Sequence, residues 1–129
     1  MNRRIVLADD EPDLRKLLRA RLVHKGFEVF EADNGTTALD LVRRHRPDAV
    51  ILDCKMPGMN GGEVCGHIKA DVELRDIPVI LVTATSQTID DEPNPQMSAD
   101  DILIKPFEFT DFYRRLNRLL RQPSPEGTP

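Results

Sequence analysis

The sequence predicts an α/β fold with a doubly wound, five-stranded parallel sheet, and three observations support this class. Short apolar runs recur about every 20 residues, and amphipathic helical patterns separate them. Four of the five runs end in, or are followed directly by, polar residues, as is typical of the sheet edge at which ligands bind in this fold class. The length of 129 residues suits one domain with its own core. Helices are therefore expected to cover both faces of a parallel sheet.

The first half of the chain supplies the first three strands and two helices. The predicted elements are strands Arg4–Ala8, Phe27–Ala32 and Asp48–Asp53, and helices from Pro12 to Gly26 and from Thr36 to His45. Pro12 suits a first helical position, and Pro47 ends the second helix. The apolar residues assigned to the buried face of the first helix are Leu14, Leu17, Leu18 and Leu22.

The second half continues the alternation and ends in a polar tail. The predicted elements are helix Gly61–Ala70, strands Ile77–Thr83 and Ile102–Lys105, and helix Phe107–Arg121. Four apolar residues form one stripe on the last helix, namely Phe109, Phe112, Leu116 and Leu119. Its arginines complement the helix dipole, which favours a solvated face over a nucleic-acid contact.

Composition excludes several classes of protein. The formal net charge of −4 argues against general nucleic-acid affinity. No apolar run approaches the roughly 18 residues of a membrane span, and the amino terminus lacks the pattern of a signal peptide, so the cytoplasm is the expected location.

Cys54 and Cys65 fit no metal or redox spacing and are expected to be reduced thiols. Neither common glycine-rich phosphate loop is present. The three histidines follow no metal-ligand spacing.

Polar residues follow the strands at what should be one edge of the sheet. Asp9 and Asp10 follow the first strand, Asp53 ends the third, Thr83 ends the fourth and Lys105 ends the fifth. Taken singly, the acidic pair could cap a helix, and the lysine could be an ordinary surface residue. Their shared position at the carboxyl ends of parallel strands makes a common site the better interpretation.

The chemistry of these side chains suits phosphoryl transfer. Three clustered carboxylates repel one another by several kcal/mol at an effective dielectric of about 20, so the group either raises a pKa or captures a cation. Oxygen ligands with few protein donors suit Mg²⁺. Lys105 adds a positive charge and Thr83 a hydroxyl donor. The set predicts an aspartate nucleophile with cations that offset the charge of the transferred group.

On these residues the chain resembles the receiver domains of two-component response regulators. The matching pieces keep the order and spacing of that family over residues 3 to about 121. They are Asp9-Asp10, Asp53, the loop Met56-Pro57-Gly58-Met59-Asn60-Gly61, Thr83-Ala84, and Ala99-Asp100-Asp101 with Lys105-Pro106-Phe107. The resemblance implies the flavodoxin-like (βα)5 receiver fold over residues 1–121, with 122–129 as a disordered tail or the start of a linker.

The resemblance also implies residue roles. Asp53 would accept a phosphoryl group from the phosphohistidine of a sensor histidine kinase or from a phosphotransfer protein. Asp10, Asp53 and the backbone carbonyl of Lys55 would bind Mg²⁺ directly, and Asp9 would reach it through water. Thr83 and Lys105 would assist catalysis. The family further implies a cis peptide bond before Pro106, which only X-Pro bonds adopt cheaply.

Three features depart from the family pattern. The family's fourth helix would fall within Thr85–Ser98, where Pro93 and Pro95 cost about 3 kcal/mol each in a helix interior, so a loop or single turn is predicted. We expect this segment to be loose and to define the output. Ile102 stands where receivers commonly carry Tyr or Phe, and Ser98 replaces a usual glycine. Catalysis therefore looks intact, whereas the output surface looks altered.

Two functions follow from these observations. The leading hypothesis is a phosphorylation-controlled switch with weak self-phosphorylation and self-dephosphorylation at Asp53. The alternative is a receiver-like interaction module whose output is independent of phosphorylation; the complete acidic and basic site favours the first. Beyond the kinase or phosphotransfer protein, the output partner is unknown. No direct binding of nucleic acid or membrane by this domain is expected, and a homodimer is left open.

Overall fold

A computed structural model gives the structure of the protein and describes residues 3–84 and 99–121. The strands are β1 Arg4–Ala8, β2 Glu28–Ala32, β3 Ala49–Asp53, β4 Val79–Thr83 and β5 Asp101–Ile104. The helices of the described residues are α1 Pro12–His24, α2 Gly35–His45, α3 Gly61–Ala70 and α4 Phe109–Arg121. The predicted α/β class is confirmed, and the predicted element boundaries differ by two residues or fewer, with Ile77 and Pro78 preceding β4 and α4 beginning at Phe109.

The five strands form one parallel sheet in the order β2-β1-β3-β4-β5. From β1 the chain moves outward to β2, and then returns across β1 to place β3 on its other side. The winding direction therefore reverses between β1 and β3. In open α/β sheets the crevice beside this reversal, at the carboxyl ends of the strands, is where ligands bind. Asp9 and Asp10 follow one of these two strands, and Asp53 ends the other.

Two apolar layers sandwich the sheet. One layer packs α2 and α3 against it through buried residues that include Leu39, Val42 and Ile68. The opposite layer packs α1 and α4 through residues that include Leu22, Phe112 and Leu116. Every residue of β3 and β4 is buried, so these strands are nearly continuous apolar runs, as expected for parallel strands covered on both faces.

Local sequence sets the helix starts that face the site. Asn34 accepts a hydrogen bond from Thr37 N at 2.8 Å and so begins α2. Asn60 and Glu63 form a reciprocal capping box at the start of α3, with bonds of 2.9 and 3.0 Å. Pro12 provides the preset backbone angle at the first position of α1. The loops between strands and helices are thus anchored at their helical ends.

One predicted core residue is wrong. The predicted buried face of α1 includes Leu17, but its side chain is 53% exposed, whereas Leu18 and Leu22 are buried. At about 100° per residue, the face centred between Leu14 and Leu22 passes through Leu18, and Leu17 lies about 100° to one side of it. The four leucines of this helix therefore suggest a wider apolar face than the one that is buried.

Three of the four arginines of α4, Arg114, Arg115 and Arg118, pair with acidic residues. Arg115 contacts Asp101 at 2.8 Å and Asp111 at 3.2 Å, and Arg118 contacts Asp101 at 3.4 Å. Arg114, Arg118 and Arg121 are exposed, as predicted for a solvated face. Among the described residues, no helix has both the length and the apolar character needed to cross a membrane. The predictions for the segments 85–98 and 122–129 lie outside the described residues.

Candidate functional site

The turn after β1 places two carboxylates in different environments. Asp9 is only 3% exposed, and its Oδ1 accepts a hydrogen bond from Glu11 N at 2.8 Å. Its backbone is held as well, because Asp9 N donates to Ala32 O and Arg15 donates to Asp9 O. Asp10 is exposed. The first strand is therefore followed by one buried acid and one exposed acid.

Asp53 ends the central strand β3 and is buried, with 5% exposure. Its carboxylate accepts a hydrogen bond from the backbone N–H of Lys55. One carboxylate oxygen each of Asp9, Asp10 and Asp53 can be chosen so that all lie within 4.8 Å of one another. The predicted convergence of these three acids at one sheet edge is therefore what the structure contains.

Lys105 enters the same edge from the end of β5. Its backbone N–H donates to Thr83 O at 2.8 Å, which continues the strand pairing, and the Lys105–Pro106 peptide bond is cis, as expected. Its Nζ lies 3.4 Å from Asp9 Oδ2, 3.5 Å from Asp53 Oδ2 and 2.5 Å from Glu11 Oε1. One ammonium group therefore lies within 3.5 Å of three carboxylates.

Burial and a neighbouring acid make Asp53 costly to ionise. Burial, and then the negative charge of Asp9, raise the pKa of Asp53 to about 7, although Lys105 and the Lys55 N–H oppose the shift. Burial alone would lower the pKa of Lys105, but its hydrogen bond to Glu11 and the neighbouring carboxylates outweigh burial and raise it. The lysine is therefore charged at neutral pH, while Asp53 is near the midpoint of its titration.

This donor set fits a Mg²⁺ ion. The three carboxylates offer hard oxygen ligands, which Mg²⁺ prefers, and few enough of them to leave positions for water or for a substrate oxygen. Burial, and then the charge of Asp9, raise the pKa of Asp53, and the single lysine does not fully offset the two. A divalent cation would supply the missing positive charge. The remaining predicted ligand is the backbone carbonyl of Lys55, the residue whose backbone N–H donates a hydrogen bond to the Asp53 carboxylate.

Thr83 lies at the same edge and has a partner on the neighbouring strand. It is 1% exposed, and its side chain is hydrogen-bonded to the thiol of Cys54. The parallel register that pairs Asp53 with Val82 puts Cys54, the next residue along the chain, beside Thr83. Burial, and then the charge of Asp53, raise the pKa of this thiol above its ordinary value. Cys54 and Cys65 are both free, as predicted.

The loop after β3 passes close to the acids and needs glycine twice. Gly58 has a φ of +73°, in the left-handed region that glycine adopts without strain. Gly61 N donates to Cys54 O, and a Cβ on Gly61 would lie 2.3 Å from the carbonyl oxygen of Asp53. A cleft of about 610 Å³ opens beside this loop and is lined by Asp10, Asp33, Asn34, Pro57 and Gly58.

Replacing Gly61 with alanine should displace the backbone of Asp53 and impair the site. Because the new methyl group meets a backbone oxygen rather than a flexible side chain, we expect a loss of about 2 kcal/mol in the free energy of unfolding. Gly66→Ala in the same helix is the matched control, since a Cβ there meets nothing within 4 Å and helix propensity favours alanine. Urea denaturation measures both variants. Equal stability of Gly61→Ala and Gly66→Ala would contradict the close approach of Gly61 to the carbonyl oxygen of Asp53.

The sequence-predicted site lacks one residue that the structure adds. Glu11 makes the shortest contact to Lys105, but the two residues are 94 positions apart in the chain. The signal in the sequence was the third acid in the run Asp9-Asp10-Glu11. Nothing in that run distinguishes a residue that reaches into the site from one that only begins a helix.

Comparison with known proteins identifies the family of this chain. Residues 5–117 match the response regulator receiver domain family. The response regulator MprA of Mycobacterium sp. (strain KMS) is 37% identical over 126 residues, which are 98% of this chain and 54% of MprA. The DNA-binding response regulator MtrA of Mycolicibacterium smegmatis is 36% identical with the same coverage. The chain thus spans about half the length of the curated relatives it matches.

Solved structures give the same result. The receiver domain of the sensor histidine kinase PA1611 from Pseudomonas aeruginosa, which has a magnesium ion in its active-site cleft, aligns with a TM-score of 0.86 at 30% identity, over 95% of this chain and all of that one. The response regulator TrrA from Thermotoga maritima, in complex with Mg²⁺ and BeF, aligns with a TM-score of 0.82 at 37% identity, over 92% and 99% of the two chains. The chain therefore belongs to the response regulator receiver domain family.

Proposed function

We propose that this chain is a phosphorylation-controlled receiver that accepts a phosphoryl group on Asp53 and changes conformation to signal. The donor is the phosphohistidine of a sensor histidine kinase or of a phosphotransfer protein, and residues 1–121 form the receiver unit. The observation that carries this proposal is the buried Asp53 carboxylate, which lies near Lys105 and two further acids at the point where the winding of the chain reverses between β1 and β3.

In the proposed reaction, Asp53 acts as the nucleophile. One of its oxygens attacks the phosphorus atom, the P–N bond to the donor imidazole breaks, and an aspartyl phosphate forms. Lys105 lies close enough to place its ammonium group on the phosphoryl oxygens, where negative charge must be offset. In self-dephosphorylation, water attacks the same phosphorus atom, the bond to Asp53 breaks, and inorganic phosphate leaves. Thr83 supplies a hydroxyl at the same edge that can donate to a phosphoryl oxygen.

Mg²⁺ is the proposed cofactor. Asp10, Asp53 and the backbone carbonyl of Lys55 would hold it directly, and Asp9 would hold it through water. Bound there, it would supply positive charge that offsets the phosphoryl oxygens. The magnesium-bound receiver domain of PA1611 and the Mg²⁺ complex of TrrA support this assignment for the present chain.

Replacing Asp10 with asparagine should weaken Mg²⁺ binding by at least about tenfold. A hard cation held by so few protein oxygens depends on each carboxylate charge, and Asp10 is the exposed member of the cluster, so its loss leaves the core intact. Isothermal titration with Mg²⁺ at pH 8 measures the change. Asp13→Asn, which neutralises an exposed acid in the first turn of α1, is the control. Unchanged affinity in Asp10→Asn would count against the metal site.

The proposed partners and location follow from the same receiver role. The chain spans about half the length of its curated relatives. Any output activity of a whole protein that contains it is therefore a proposal and not an observation. MtrA is a DNA-binding response regulator. For the present domain we expect no direct contact with nucleic acid, because its formal net charge is −4 and three of the four α4 arginines contact acidic side chains. A cytoplasmic location matches a histidine kinase partner and two free thiols.

Phosphate-affinity electrophoresis tests the proposed function. The protein is incubated with acetyl phosphate and Mg²⁺, and a retarded band is expected that is absent with EDTA and absent in Asp53→Asn. Cys54→Ser serves as a neighbouring control that keeps all three carboxylates. A band of equal intensity in Asp53→Asn would refute the nucleophile assignment. If the wild-type protein gave no band with any small phosphodonor or cognate kinase, the phosphorylation-independent module would replace this function.

A further inference from the structure

Lys105 has a closer partner than the proposed phosphoacceptor. Its Nζ lies 2.5 Å from Glu11 Oε1, and about 1 Å farther from the nearest oxygens of Asp9 and Asp53. In the unphosphorylated protein the ammonium group is therefore drawn toward Glu11.

The position of Glu11 suits a competing partner rather than a structural one. Glu11 is the N-cap residue of α1, but its side chain makes no capping hydrogen bond there. Its backbone N–H donates to Asp9 Oδ1, which ties the residue to the site, while its side chain is 61% exposed. Glu11 thus reaches Lys105 from the solvent side. Neither the core nor the start of α1 depends on its carboxylate.

We propose that Glu11 is a positioning residue that holds Lys105 before phosphorylation and gives it up to the phosphoryl group on Asp53. This inference rests on the proposed function. Phosphorylation adds negative charge on the Asp53 side of Lys105, which draws the ammonium group away from Glu11 and toward the phosphoryl oxygens. Glu11 therefore makes the arrangement in which Lys105 contacts the phosphoryl oxygens less favourable.

The size of this effect follows from the exposure of the pair. An ion pair with one solvent-exposed member contributes modestly, so removing the carboxylate should tighten binding of a phosphoryl mimic by about two- to fivefold. The change Glu11→Gln keeps the size of the side chain and the backbone hydrogen bond to Asp9. It removes only the charge that competes for Lys105.

Titration with beryllofluoride and Mg²⁺ measures this competition. The matched control is Asp33→Asn, which removes one negative charge from the cleft beside Asp10 and keeps an oxygen for its hydrogen bond from Asn34. We expect Glu11→Gln to bind the mimic about two- to fivefold more tightly than Asp33→Asn, as the modest strength of a half-exposed ion pair implies. The same substitution in a Lys105→Met background should have no more effect than the control.

The NMR signal of the Lys105 ammonium group gives an independent measurement. Glu11→Gln should shift this signal in the free protein and leave it unchanged in the beryllofluoride complex, where Lys105 no longer contacts Glu11. Equal affinities in Glu11→Gln and Asp33→Asn, or a tightening that persists in the Lys105→Met background, would overturn the inference while leaving the proposed function in place. Failure of the wild-type protein to bind beryllofluoride with Mg²⁺ would overturn both.

Discussion

Replacing Asp53 with asparagine should stabilise the metal-free protein by about 2 kcal/mol at pH 8. The substitution removes a buried charge whose ionisation is opposed by desolvation and by Asp9. The shift from 3.8 to about 7 sets an upper limit near 4 kcal/mol, since each pKa unit is about 1.4 kcal/mol. Part of this gain is offset, because the neutral amide of the variant pairs less well with Lys105 and the Lys55 N–H.

The pH dependence has a definite direction. Between pH 3.8 and about 7 the folded protein keeps a proton on Asp53 that the unfolded chain has released. The free energy of unfolding therefore falls as the pH rises through this window, and the penalty is complete above about pH 7. In Asp53→Asn this contribution is absent. The difference in stability between variant and wild type should accordingly be small near pH 4 and largest at pH 8.

Urea denaturation in EDTA at several pH values measures this difference. The chain has no tryptophan, so far-ultraviolet circular dichroism is the suitable signal. Asp33→Asn removes an exposed carboxylate from the neighbouring cleft and should change stability by less than about 0.5 kcal/mol at either pH. If Asp53→Asn were less stable than wild type at pH 8, the favourable contacts of the Asp53 carboxylate would outweigh the cost of its buried charge, which would contradict this prediction.

Replacing Lys105 with methionine should abolish the response to phosphorylation while the fold is retained. The proposed role of the ammonium group is to offset charge on the transferred phosphoryl group, and removal of one such donor typically costs about 10²- to 10³-fold in rate. The stem of Lys105 is replaced by a side chain of similar length, so packing changes little. Asp9 and Asp53 lose their shared cation, however, and stability at pH 8 should fall by about 1 kcal/mol.

Rates of phosphorylation by acetyl phosphate, together with backbone NMR spectra with and without beryllofluoride, measure the two effects separately. Lys69→Met is a useful contrast, because Lys69 binds Asp100 and the carbonyls of Arg75 and Ile77, outside the acidic cluster. That variant should lose stability but keep its rate of phosphorylation. If Lys105→Met were phosphorylated at the wild-type rate and lost only stability, Lys105 would be a structural residue.

Most of the fold was predictable because apolar runs and turn residues agree along the chain. The strands β3 and β4 are buried on both faces and therefore appear in the sequence as unbroken apolar runs. The face of α1 was less well defined, because periodicity alone does not exclude Leu17 from a leucine-rich stripe. Tertiary packing against β1 and β2 selects which leucines are covered.

The candidate site was predictable to the level of residue types at strand ends. A parallel sheet brings its carboxyl ends to one edge, so Asp9, Asp53 and Lys105 had to lie near one another. Pairwise geometry did not follow from that argument. The contact of Lys105 with Glu11 and the hydrogen bond of Thr83 to Cys54 depend on side-chain directions across different strands. Such directions have no signal in the spacing of residues.

The most direct test of the central claim is to locate the phosphoryl group in the chain. Protein phosphorylated with acetyl phosphate and Mg²⁺ is treated with sodium borohydride, which reduces an aspartyl phosphate to homoserine, and the peptides are sequenced by mass spectrometry. Homoserine is expected in place of Asp53 alone, and none is expected when Mg²⁺ is removed. Homoserine in place of Asp9 or Asp10, with an unmodified Asp53, would contradict the account.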